Sequence, residues 1–168
     1  TSNYIMKKHQ SLRTRRQFLR TTAGAAAVFS IVPRYVISGS GQTPPGERLR
    51  IAGIGVGGQG AGDINAVASG NEIVALCDVD TKRSAETLRK FPQAKQFRDF
   101  RKMFDAMEKD IDAVVVATPD HTHAVAAMAA IKRGKHVYCE KPLAHSIHEV
   151  RALMKAAREH KVVTQLGN

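Results

Sequence analysis

The chain has 168 residues, 43% hydrophobic and 24% charged, the balance of one globular domain plus a short extra segment. Its net charge of +11 suggests a nucleic-acid reader, but the charge is unevenly placed: residues 1–50 hold nine Lys or Arg against Glu47 alone, whereas the rest hold 17 basic and 14 acidic side chains, a net of +3. With no Trp and only 5% aromatics there is no stacking platform either, so nucleic acid is not expected as a partner.

Arg15 and Arg16 stand ahead of an uncharged, alanine-rich run over residues 21–33. The arrangement reads as a twin-arginine signal over residues 1–40, handled by the matching export machinery and leading to a periplasmic or membrane-anchored protein. A basic, amphipathic start to an ordinary helix is the alternative. The apolar run is too short to span a bilayer, which takes about 20 residues. Residues 38–46 are dominated by Ser, Gly and Pro, so 41–47 is read as a linker and 48–168 as the folded domain.

The domain opens with a strand over 48–54, followed by Gly55-Val56-Gly57-Gly58-Gln59-Gly60 and a helix from about 61 to 69. A G-x-G-x-x-G pattern between a strand and a helix is a dinucleotide fingerprint. In it Gly55 permits the tight turn, Gly57 lets the backbone approach a pyrophosphate, and Gly60 allows the helix to lie close to the strand. Gly58 and Gln59 complete the loop at the helix N-terminus, where free N–H groups favour phosphate. A second strand over Glu72–Cys77 ends at Asp78, 21 positions after Gly57, a spacing that suits a carboxylate binding the adenine ribose hydroxyls. Such an acid favours NAD, although Lys82 and Arg83 leave NADP possible, and a plain strand-end cap is the alternative role for Asp78.

The alternation continues. Asp80 or Thr81 is expected to cap a helix running to Lys90 and ended by Phe91-Pro92, before a short strand at Gln96-Phe97. A helix over 101–109 precedes Ala113–Val116, four small or branched apolar residues that suit a strand buried on both faces. An alanine-rich helix over 121–133 closes at Gly134, and a strand follows at 136–139. Ser146-Ile147-His148-Glu149 is a capping box for a helix to about His160, and 162–165 is a sixth strand. The fold class is α/β: a doubly wound parallel sheet of Rossmann type, its first five strands ordered 3-2-1-4-5, with ligand at the carboxyl ends of the strands. Cys77 and Cys139 then lie on strands two and five, about 14 Å apart at 4.8 Å per strand, beyond the roughly 7 Å that a disulfide allows. Both are expected as buried thiols. His136, Cys139, His145 and His148 fit no closed tetrahedral spacing, so no metal site is expected.

Three segments fall at the carboxyl ends of later strands: Ala117-Thr118-Pro119-Asp120-His121-Thr122-His123, Glu140-Lys141-Pro142 and Gln165-Leu166-Gly167-Asn168. With the glycine loop they resemble the Gfo/Idh/MocA family, which includes glucose–fructose oxidoreductase and inositol dehydrogenases. The resemblance runs from Arg48 to Asn168. It implies an NAD(P)-dependent oxidoreductase acting on a sugar, polyol or related hydroxyl compound by hydride transfer. It implies a catalytic role for Lys141 beside the nicotinamide, a cofactor contact for Glu140, and a chain turn with unusual peptide geometry at Pro142. Thr118, Pro119 and His123 match positions lining the nicotinamide end, although His121 and His123 also suit a plain helix start, and Lys141 a solvated strand end. The family's second, α+β domain, which builds the sugar pocket, supplies the acid or base and mediates oligomers, is not expected in this chain. A non-catalytic dinucleotide-binding module or an inactive gene fragment therefore stays open beside the enzyme.

Overall fold

The computed structural model describes residues 45–168; the arginine pair, the apolar run behind it and most of the linker lie outside them. Six parallel strands form one sheet: β1 Arg50–Ile54, β2 Glu72–Cys77, β3 Lys95–Phe97, β4 Ala113–Val116, β5 His136–Cys139 and β6 Thr164–Leu166. They lie in the order β3-β2-β1-β4-β5-β6, so the expected order holds and β6 extends it at one edge. The connecting helices are α1 Gln59–Val67, α2 Ala85–Lys90, α3 Phe100–Met107, α4 Asp120–Ile131 and α5 Ile147–Glu159.

Strand side chains alternate between two cores. Ala52, Ile54, Val114, Val116, Val137 and Cys139 face α3, α4 and α5, where Met103, Phe104, Ala127, Ile131 and Leu153 complete one cluster. Ile51, Ile73, Leu76 and Val115 face α1 and α2, packing with Ile64 and Phe91. The β1–β2 register jumps from Ile51–Ile73 to Ala52–Ala75, leaving Val74 as an extra residue. That bulge puts both Val74 and Ala75 on the three-helix face and returns Leu76 to the other. Gly53 makes room for α1: a methyl there would lie 2.6 Å from Val56 Cγ1 and 2.7 Å from Ile64 Cδ1.

Two boundaries differ from expectation. Helix α1 begins at Gln59, inside the glycine motif. Helix α2 begins only at Ala85, because Asp80 caps a turn instead of a helix: its Oδ1 accepts from the N–H groups of Lys82 and Arg83, both at 3.0 Å, and Ser84 Oγ donates to its carbonyl. Helix α5 has the full capping box, with Ser146 Oγ accepting from Glu149 N–H and Glu149 Oε2 accepting from Ser146 N–H at 2.9 Å.

Arg50 forks onto Asp112, with Nε to Oδ2 at 3.0 Å and Nη2 to Oδ1 at 2.8 Å, tying the start of β1 to the turn before β4. The guanidinium bond is the main reason Asp112 titrates below the ordinary carboxylate range. Cys77 and Cys139 are buried free thiols on β2 and β5, with β1 and β4 between them. Burial pushes both up to about 12, which keeps them in the unreactive thiol form. At the β6 edge, Val163 and Leu166 are 69% and 45% exposed. Among the described residues, no helix is long and apolar enough to cross a membrane.

Candidate dinucleotide cleft

The site grows from the turn after β1. Gly55 has φ +79°, and a methyl on it would lie 2.7 Å from Thr118 N and 2.8 Å from the Ala117 carbonyl carbon. Only glycine satisfies both the left-handed backbone and the contact with the β4–α4 turn. At Gly60 a methyl would overlap the Gly55 carbonyl oxygen and approach Ala117 Cβ to 3.0 Å, so the first turn of α1 lies directly on the strand ends. Thr87, buried on α2, donates from Oγ1 to the Val56 carbonyl at 2.8 Å and holds the loop from behind. Nothing local in the sequence marks that bond, since any residue offers a carbonyl.

Asp78 does more than present a carboxylate. Its Oδ2 accepts from Val56 N–H at 2.9 Å and Gly57 N–H at 3.1 Å, while Oδ1 accepts from Asp80 N–H at 2.9 Å. Two oxygens offer about four lone-pair sites, so roughly one remains for a hydroxyl after these three bonds. Arg83 lies across the loop, its Cγ 2.8 Å from where a Gly57 methyl would sit and its Nη2 2.9 Å from one at Gly58.

These elements border an open cleft of about 600 Å³ at the carboxyl ends of the strands. Gly55, Gly57, Gln59, Asp78, Thr118 and Pro119 line it, joined by Arg98, Phe100, His121 and Thr122, which sequence reasoning did not assign. Thr118 Oγ1 is buried without a hydrogen-bond partner, an unmet polar group in the cleft wall. Together with the α1 N-terminus and a loop that has glycine at four of its six positions, the donor set fits a dinucleotide.

Five assigned residues lie outside that lining: Gly58 and Gly60, within the glycine loop itself, and Lys141, Glu140 and His123. Lys141 is exposed just past β5, outside the cleft lining. Glu140 is 5% exposed and faces inward: Oε1 accepts from Tyr138 Oη at 2.8 Å and Oε2 from Lys141 N–H at 3.2 Å. That bond, with burial, pushes the Tyr138 hydroxyl up to about 12. Gly167 closes over the pair; a side chain there would overlap Glu140 Oε1 and reach within 2.7 Å of Tyr138 Oη. Across from Glu140, Asp63 is raised above the ordinary carboxylate range by burial and by Glu140, opposed by a hydrogen bond from Gln59. His123 is also absent from the lining: it is 1% exposed and both ring nitrogens meet backbone carbonyls behind the wall. Glu140 and His123 thus both bond within the wall of the cleft, to Tyr138, Lys141, Thr118 and Pro142. The Lys141–Pro142 peptide is cis, in line with the expected geometry. Among the described residues no cluster of three metal-ligating side chains occurs.

Comparison with known proteins places this geometry in context. Residues 48–168 match the Gfo/Idh/MocA family, described as an oxidoreductase family with an NAD-binding Rossmann fold. Inositol 2-dehydrogenase of Salmonella typhimurium is 31% identical over 124 residues, covering 71% of this chain and 36% of that protein. Levoglucosan dehydrogenase of Pseudarthrobacter phenanthrenivorans is 36% identical over 88 residues, covering 52% of this chain and 22% of the relative. Among solved structures, scyllo-inositol dehydrogenase of Lactobacillus casei, with bound NAD(H) and scyllo-inositol, aligns with TM-score 0.65 and 25% identity over 72% of this chain and 36% of its own. The chain thus spans about a third of the length of such relatives.

Proposed function

Because the chain belongs to the Gfo/Idh/MocA family and carries its NAD-binding Rossmann fold, we propose that it is the cofactor-binding part of an exported oxidoreductase that takes hydride from a sugar, polyol or related hydroxyl compound. The observation that carries this reading is the glycine loop, where Gly55 and Gly60 leave no room for a side chain and α1 starts directly over the cleft. In this reading Gly55, Gly57, Gly58, Gln59 and Gly60 hold the pyrophosphate, Asp78 the adenine ribose, and Thr118 and Pro119 the nicotinamide end. When bound, the nicotinamide supplies the hydride acceptor. Lys141 stands at the carboxyl end of the sheet, where an ammonium stabilises the alkoxide character that grows on the reacting oxygen. Glu140 and His123 serve the site from behind, by holding the loops that carry these groups.

The test is a fluorescence titration of NADH and NADPH into the chain and its Asp78→Ala variant. Saturable NADH binding is expected, and the variant is expected to weaken NADH about tenfold more than NADPH, or about 1.4 kcal/mol of lost discrimination. A folded sample with no saturable NADH binding refutes the cofactor reading; equal losses for both cofactors remove Asp78 from the ribose.

Export rests on Arg15, Arg16 and the apolar run behind them. The physical logic is consistent, because the twin-arginine route carries proteins after folding, when a cofactor acquired in the cytoplasm travels with them. A reporter fused after residue 40 is expected to reach the periplasm and to be retained inside when both arginines become Lys. Export that is indifferent to that change, or no export, refutes the signal.

A further inference from the structure

His123 is 1% exposed, and its ring joins two loops. Nδ1 lies 2.7 Å from the Pro142 carbonyl oxygen and Nε2 lies 2.6 Å from the Thr118 carbonyl oxygen. A carbonyl oxygen only accepts, so each contact calls for an N–H on the ring, and a neutral imidazole has only one. A neutral ring would set a bare nitrogen lone pair against a carbonyl lone pair at hydrogen-bond distance, in an interior where that repulsion is poorly screened.

We propose that His123 is a positioning residue: a buried, doubly protonated imidazole that fastens the Glu140-Lys141-Pro142 loop to the turn at Thr118 and thereby sets where Lys141 stands. The proposal rests on the catalytic assignment of Lys141 made above. Thr118 lines the cleft, and Pro142 directly follows Lys141, so a single ring couples the cofactor wall to the loop that carries the reacting group. The ring is suited to this because it is rigid and presents its two donors on opposite edges, which no flexible amide or ammonium does. A buried charge needs compensation. Here the two charge-assisted hydrogen bonds supply part of it. The ring's own helix begins with Asp120, and the loop that Nδ1 meets carries Glu140 beside Lys141.

The first experiment reads the imidazole nitrogens directly. Nitrogen-15 spectra of the chain without cofactor at neutral pH, with His123→Gln providing the assignment, are expected to show both His123 nitrogens carrying a proton. A bare nitrogen on His123 overturns the clamp. This readout needs no cofactor, so it succeeds or fails independently of NADH binding. The second experiment asks for positioning. In the full product of the gene, His123→Gln is expected to lower turnover 10-fold or more, as small misplacements of a reacting group do, with NADH affinity changed less than about threefold. Wild-type turnover in a folded His123→Gln protein overturns the positioning role. Should Lys141→Ala keep full turnover, the Lys141 reading fails instead, and the nitrogen spectra still decide the clamp.

Discussion

A Gly60→Val chain is expected to lose NADH affinity by about 100-fold or more, equivalent to about 2.8 kcal/mol. The β-carbon would occupy the space of the Gly55 carbonyl oxygen, with Ala117 Cβ closing the other side, so neither neighbour is the free end of a flexible side chain. The start of α1 must therefore lift from β1, and the N–H groups that face the cleft move with it. Overpacking of a tight site costs about 1–3 kcal/mol in stability, so the melting temperature is expected to fall too. Gly62, on the same helix with open space around it, supplies the control. Gly62→Ala is expected to bind NADH as the unmodified chain does and to melt no lower, because alanine favours a helix over glycine by about 1 kcal/mol. Fluorescence titration and thermal denaturation of the two variants side by side check this. Full NADH affinity in Gly60→Val would mean that the helix end does not hold the phosphates.

Lys141→Ala is expected to reduce turnover by about 10²- to 10³-fold, the loss typical of removing one group aimed at a developing oxyanion, while NADH affinity stays within a few-fold. The separation follows from the proposed reading, in which Lys141, exposed past the end of β5 and outside the cleft lining, meets the substrate rather than the cofactor. Steady-state kinetics on the full product of the gene, with inositols and anhydrosugars as the first candidate substrates, together with an NADH titration of the same variant, give both numbers. Unchanged turnover would remove Lys141 from the chemistry. A parallel loss of NADH affinity would instead make it a cofactor ligand.

Much of the fold and the glycine side of the cleft was legible in the sequence, because both are written in local spacing. A strand buried on two faces must be apolar in a run, as at Ala113–Val116, and a helix laid on a strand end must have glycine where Gly60 stands. The capping box at Ser146 and Glu149 is likewise a four-residue signal, and α5 starts where it says. Even the chain turn at Pro142 came with its motif.

What only the tertiary structure decided is which side chains turn away from the cleft to hold its walls. Thr87 reaches the Val56 carbonyl across 31 positions, and His123 reaches Pro142 across 19. Tyr138 and Glu140 pair on one strand end, but the cap over them is Gly167, folded back from β6. Asp78, expected at the adenine ribose or as a strand-end cap, also accepts two N–H bonds from the glycine loop and one from Asp80. The bonds of Thr87, His123 and Asp78 end on backbone groups, and the cap at Gly167 is a place where a side chain is missing. Every residue has a carbonyl and an amide, so no residue type at the far end marks the partner. Such contacts exist only once the sheet has brought the loops of β1, β4 and β5 to a common edge, and that is a property of the packed whole.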